Sequence, residues 1–227
     1  MKTTKKALLF TFCAVLLVVA SVLGTMAYLT SSDTVTNTFT VGKVKIKLDE
    51  AKVNPDGNYE SDHGQRTKEN TYHLLPGHEY CKDPTVTILA SSEDAYVRTV
   101  VTVENIDKLK ATFDGAEYYG EDGVFLLQKL VNGWNPEIWI FEGYTEDESN
   151  GKYEFRYTDT YVEGVTSDKQ LPDLFTSIAV PGEEVTNENI DNLSHVKIVV
   201  EAHAIQADGF ADADEAWAAL KNNLIYF

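Results

Sequence analysis

Ten residues, Ala95 to Glu104, constrain this chain most: Val, Thr, Tyr and Arg fill them without Gly or Pro, which predicts a β-strand. His195 to Gln206 repeats the signal and places Val196, Ile198, Val200, Ala202 and Ala204 on one face at period two, so it is expected to be the best core strand. Thr38 to Leu48 alternates Val44, Ile46 and Leu48 inward with Lys43, Lys45 and Lys47 outward. Further strands are expected at Pro84 to Leu89, Gly123 to Leu130, Glu137 to Glu142, Lys152 to Val162 and Leu174 to Val180. Between them lie a polar loop or hairpin tip at Asn54 to Asn70, a turn at Leu75-Pro76-Gly77-His78, and Gly- and acid-rich breaks. Helices are expected only at Asp107 to Phe113, Asn187 to Leu193 and Asp212 to Asn223. Without regular strand–helix alternation, the pattern predicts a mainly β chain, an antiparallel jelly-roll-like β-sandwich with a few short helices.

The N-terminus has a different grammar. Lys2, Lys5 and Lys6 precede an apolar run from Ala7 to Leu23, closed by Gly24-Thr25-Met26-Ala27. These are the parts of a secretory signal peptide, residues 1–27, with a cut expected between Ala27 and Tyr28. The rival reading is a retained anchor, because the run nears the roughly 18–20 residues that span a bilayer. Either way the lysines stay inside and the rest of the chain is exported. Residues 28–227 are then expected to form a single secreted domain of a size that buries a full core.

The formal charge is −17, and residues 1–27 carry three lysines and no acid, so cutting makes the remainder more acidic still. Such a surface repels nucleic acid and anionic lipid, so no nucleic-acid partner is expected, and the membrane is met only through an uncleaved signal segment. Cys13 would leave with the signal, which leaves Cys81 without a partner and expected to be a buried, small apolar residue.

Catalytic signatures are missing from the sequence: no phosphate loop, no Gly-x-Ser-x-Gly elbow, no paired Cys-x-x-Cys and no His-Glu-x-x-His. Of His63, His73, His78, His195 and His203, the last two are expected on one strand, roughly 26 Å apart by strand rise and too distant to share a metal. No catalytic, cofactor-binding or metal-ligating residue is assigned. Calcium is a minor expectation at the acidic pairs and runs Asp56/Asn58, Glu146-Asp147-Glu148 and Asp212/Asp214, none of which completes an EF-hand.

Several stretches carry a resemblance. Gly24 to Thr30, then Asp33-Thr34-Val35-Thr36-Asn37-Thr38-Phe39-Thr40-Val41-Gly42, resemble the start of the TasA/camelysin (CalY) family with its SipW-type signal. Leu75-Pro76-Gly77, Ala95-Tyr96-Val97-Arg98 and Glu201 to Phe210 resemble the same group, while about residues 105–190 form an insert-like middle without a match. The resemblance implies a jelly-roll subunit of biofilm-matrix fibres in Gram-positive bacteria, released by a SipW-type signal peptidase and lodged in the extracellular matrix or at the cell surface. It also implies partners that are copies of the chain itself or a sister matrix protein, joined by donor-strand exchange. Residues 28–41 are the candidate donor strand, through Thr34, Val35, Thr36, Thr38, Phe39 and Val41, since they are β-prone, lack Pro and sit directly behind the cut. Pairing within its own subunit is the alternative for this segment. Two other functions stay open: a camelysin-like metalloprotease, and a cell-surface adhesin or ligand-binding module using Trp134, Trp139, Tyr118, Tyr119 and Tyr144.

Overall fold

A computed structural model describes residues 6, 12–17, 43–60, 64–113, 126–158 and 161–223. The chain divides into two compact units, Met1–Val41 and Gly42–Phe227. In the first, residues 12–17 are helical and exposed. Among the described residues no helix is long and apolar enough to cross a membrane.

The second unit is mainly β and antiparallel throughout. Its strands are β1 (Ile46–Ala51), β2 (Arg66–Thr67), β3 (Glu79–Cys81), β4 (Thr85–Ile88), β5 (Ala95–Glu104), β6 (Val131–Asn132), β7 (Trp139–Asp147), β8 (Asn150–Tyr157), β9 (Lys169–Gln170), β10 (Ser177–Ala179) and β11 (Lys197–Gln206). They form three sheets in the orders β2-β1-β4-β9, β3-β10-β6 and β11-β5-β8-β7. All three contribute to one core: Val86 and Ile88 from β4, Val101 and Val103 from β5, Tyr153 and Phe155 from β8, and Tyr80 and Ile178 from β3 and β10. Because β8 and Trp139 belong to this core, the middle of the chain is integral to the fold.

Period two explains β5. Val97, Thr99, Val101 and Val103 face inward and are buried, while Tyr96 and Arg98 emerge on the opposite face. That second face is covered at one end by helix α2 (Ala213–Asn223), whose Trp217 packs with Tyr96, Ala207 and Ala216 and takes the Arg98 guanidinium over its ring at 4.5 Å. Asp212 caps α2 by accepting the Glu215 N–H at 2.9 Å, and the Glu215 carboxylate reaches back to the Ala211 N–H at 2.7 Å. The shorter helix α1 (Ile106–Thr112) follows β5 directly and buries Ile106 and Leu109. Leu75 to His78 makes the expected turn, with Pro76 and Gly77 at its centre and Gly77 at φ +78°.

Four expectations need correction. The described part of the strand expected at Gly123 to Leu130 is no strand: Leu126–Lys129 is a 3-10 turn that buries Leu126 and Leu127, an apolar pair that period alone cannot assign to strand or helix. β11 is not the best core strand. Val196, Ile198, Val200, Ala202 and Ala204 do share the face toward the core, yet all stay partly exposed because β11 is a sheet edge, and central β5 takes the buried role. His195 closes a 3-10 turn (Ile190–His195) and shares no strand with His203. Cys81 is half-buried rather than buried. A hydrogen bond with Cys81, then burial, pushes the Tyr59 hydroxyl up to about 12.

Candidate functional site

β11 pairs with β5 along its full length, from Lys197 opposite Glu104 to Gln206 opposite Ala95, without a register shift. Its other edge meets no strand among the described residues. β1 has a matching gap. Residues Ile46 to Asp49 pair with β4 on one side, but β2 meets β1 only at Glu50 and Ala51, leaving the same side of Ile46 to Asp49 without a ladder. β1 and β11 come close to each other without forming a ladder.

Between these two strands runs a groove of about 1330 Å³. Ile46 and Leu48 of β1 line one wall, and Val196, Ile198 and Val200 line the other, with Tyr72, Leu74 and Ile190 between them. Each packs against the main core while remaining only partly buried. The core is therefore only partly covered along this strip, and each further Å² of apolar surface covered there would gain roughly 25 cal/mol. A bare strand edge beside apolar side chains offers an incoming extended segment both main-chain hydrogen bonds and side-chain pockets.

The wall carrying β1 is fixed by charge. Arg66 of β2 donates to the Asp49 carboxylate at 2.8 Å, to the Asp83 carboxylate at 2.6 Å and to the Thr85 hydroxyl at 2.5 Å. One planar guanidinium thus ties β1, β2 and β4 together. Burial pushes the Asp49 carboxyl up, but hydrogen bonds from Lys47 and Arg66 outweigh it and hold the group below the usual carboxylate range. Asp173, which accepts the Thr85 hydroxyl at 2.6 Å, is pushed up chiefly by burial. At one end of the groove Glu50 accepts hydrogen bonds from Lys82 and Asn70. Burial, then the Glu50 charge, pushes the nearby Tyr72 hydroxyl up.

Several residues singled out in the sequence lie elsewhere. Ala27, Tyr28, Thr34, Val35, Thr36, Thr38, Phe39 and Val41 fall outside the described residues, as do Tyr118 and Tyr119. Trp139 is fully buried and donates its indole N–H to the Pro172 carbonyl at 3.0 Å. Trp134 is half-buried, donates to the Trp139 carbonyl at 2.7 Å and packs edge-on against Phe155. The two indoles thus pack with the core, Trp139 inside it and Trp134 against it. Tyr144 stacks on Tyr153 and donates to Glu146 at 2.7 Å.

The acidic runs also have local partners. Glu146 accepts from Lys110 at 2.8 Å, Asp214 pairs with Arg156, and Asp212 is the α2 cap. In the Asp56/Asn58 loop both backbone N–H groups go to the Asn54 side chain at 3.0 Å. Among the described residues no group of three or more His, Cys, Asp or Glu side chains could hold a metal ion. The groove itself escaped sequence reasoning, although its signal was present: a long alternating strand with apolar residues on one face says nothing of how many neighbours it has. No protein-family model, curated protein or solved structure matches the chain.

Proposed function

We propose that the protein is an exported structural subunit of extracellular fibres, in which residues 28–41 of one copy enter the groove between β1 and β11 of the next. The half-covered apolar strip between β11 and the Ile46–Asp49 part of β1, whose facing edges pair with no strand among the described residues, carries this reading. The proposed occupant suits it in pattern. Val35, Phe39 and Val41 share one face of an extended strand, and Thr34, Thr36, Thr38 and Thr40 share the other. The first set covers the exposed core, and the second faces water.

Strand addition of this kind is heterologous: the surface that gives differs from the surface that receives. It does not close, so it produces a filament rather than a dimer. The sequence resemblance to TasA/camelysin proteins points the same way, and the jelly-roll connectivity and SipW-type processing that it implies belong to this proposal. Removal of residues 1–27 is then the step that frees the donor.

The test compares a chain beginning at Tyr28 with one beginning at Gly42, both checked for folding by circular dichroism. The first is expected to form fibres in electron micrographs; the second is expected to stay monomeric and to bind a synthetic 28–41 peptide. Fibres from the shortened chain at the same rate would remove the donor-strand mechanism.

A further inference from the structure

Three polar side chains converge at the end of the groove in an arrangement that an ordinary ion pair does not need. Glu50 of β1 and Lys82, just after β3, are 7% and 9% exposed, and the Lys82 ammonium donates to Glu50 Oε2 at 2.5 Å. The other oxygen of the same carboxylate, Oε1, accepts from the Asn70 side-chain amide nitrogen at 2.9 Å. The Asn70 carbonyl oxygen is held by the Val53 backbone N–H at 3.1 Å, and its amide nitrogen also donates to the Ala51 carbonyl at 2.8 Å. Tyr72 lies alongside, its ring centre 5.8 Å from the lysine nitrogen. An amine, a carboxamide and a carboxylate bridging both are thus gathered in one place, the amine and the carboxylate buried and Asn70 half-buried.

We propose that Lys82 and Asn70 join in an intramolecular amide bond, with Glu50 carrying the protons. The Lys82 ammonium passes a proton to Glu50, which removes two charges from a buried site and leaves a neutral amine nucleophile. The nitrogen lone pair attacks Cγ of Asn70, and the carbonyl electron pair moves to Oδ1, where the Val53 N–H stabilises it. Glu50 gives its proton to the Asn70 amide nitrogen and takes one from the lysine nitrogen. The Cγ–Nδ2 bond then breaks with its electron pair, the carbonyl re-forms, and the released ammonia takes the remaining proton from Glu50 and leaves as ammonium. The balance is one ammonium side chain and one carboxamide giving one secondary amide and one ammonium ion; Glu50 is restored, and no oxidant or cofactor enters. The bond ties the segment after β2 to the end of β3 and stands independently of the fibre proposal.

Mass spectrometry of the full purified chain, denatured and then digested, decides the matter. The chain is expected to be one ammonia lighter than its sequence, with a branched peptide linking Lys82 to Asn70. Lys82→Arg keeps the charge pair but cannot form the bond, and Glu50→Gln removes the proton carrier; both are expected to show the full sequence mass. A wild-type chain that keeps its full mass after prolonged incubation in the folded state would overturn the proposal. So would an ammonia loss that persists in Lys82→Arg, which marks cyclisation of an asparagine alone. Bond formation at an unchanged rate in Glu50→Gln would overturn the role given to Glu50.

Discussion

The largest sheet has two long edges, and they are built in opposite ways. β7 carries a register shift between Phe141 and Gly143, ends in Glu146 and Asp147, and is crossed by Lys110 of α1, which grips Glu146. A bulge, a cluster of charge and a helix side chain across the strand are devices that stop an edge from recruiting another chain. β11 has none of them along the groove. It is straight, without Pro, and its one lysine, Lys197, sits at the start of the strand, 67% exposed and paired with Glu104. The difference teaches that openness here is local: the same sheet guards one border and, among the described residues, leaves the other unpaired beside a half-covered strip of core.

The contrast can be broken first at the anchor of β7. Trp139→Ala removes one of the two fully buried tryptophans and is expected to destabilise the fold by about 3–5 kcal/mol, read as a lower midpoint in urea unfolding. Val200→Ala on β11 is expected to lose far less, because that side chain is only half covered. Equal losses at both sites would mean that the groove is filled in the free protein.

Charge placed on each edge sharpens the comparison. Ile198→Lys sets an ammonium in the groove and is expected to weaken fibre assembly by more than about tenfold, a loss above about 1.4 kcal/mol per contact. Thr145→Lys on β7 is expected to leave assembly unchanged. Sedimentation of both variants reads the outcome, and a matching loss from Thr145→Lys would show that β7 also associates.

The smallest effects are electrostatic. Lys110→Ala is expected to destabilise the protein by no more than about 1 kcal/mol, since the pair lies near the surface. Acid should separate the two edges. Burial, then the Arg98 cation, lowers the His203 pKa on β11, with Glu201 and Glu154 opposing. His203 therefore takes up its proton at a lower pH in the folded chain than in the unfolded one, and stability falls as pH drops below about 6.5, where the unfolded chain takes up the proton first. Hydrogen bonds from Lys110 and Tyr144 lower the Glu146 pKa on β7. Its contribution is complete above the ordinary glutamate value and is lost only as pH falls through the lowered one. Amide exchange is thus expected to quicken on β11 at a higher pH than on β7; simultaneous loosening would contradict this.

What the sequence made legible was periodicity. Ala95–Glu104 has the expected boundaries, β11 and α2 lie within a residue or two of theirs, and Lys43 to Leu48 alternates as read. β2, β6 and β9 have two residues each and β3 three, too few for a period to register, while β10 keeps three residues of the strand expected at Leu174 to Val180. β1 runs on through Asp49, Glu50 and Ala51, beyond the predicted end at Leu48, because Arg66 and Lys82 neutralise carboxylates that read as a loop in one dimension. The groove was hidden for a related reason: an apolar stripe reveals that a strand faces a core, whereas the number of strands beside it is fixed by partners distant in the chain.

That distance has a kinetic side. β7 and β8 meet through a turn at Glu148 and Ser149, whereas β11 must find β5 from across the length of the domain, Gln206 against Ala95. Loop closure becomes harder as the intervening chain grows, and folding slows as contacts become less local. By that argument β5 is expected to gain β8 before β11, so the ladder that finishes a wall of the groove is among the late ones. If the proposed fibre assembly holds, a chain cannot receive a neighbour until its own final strand has arrived.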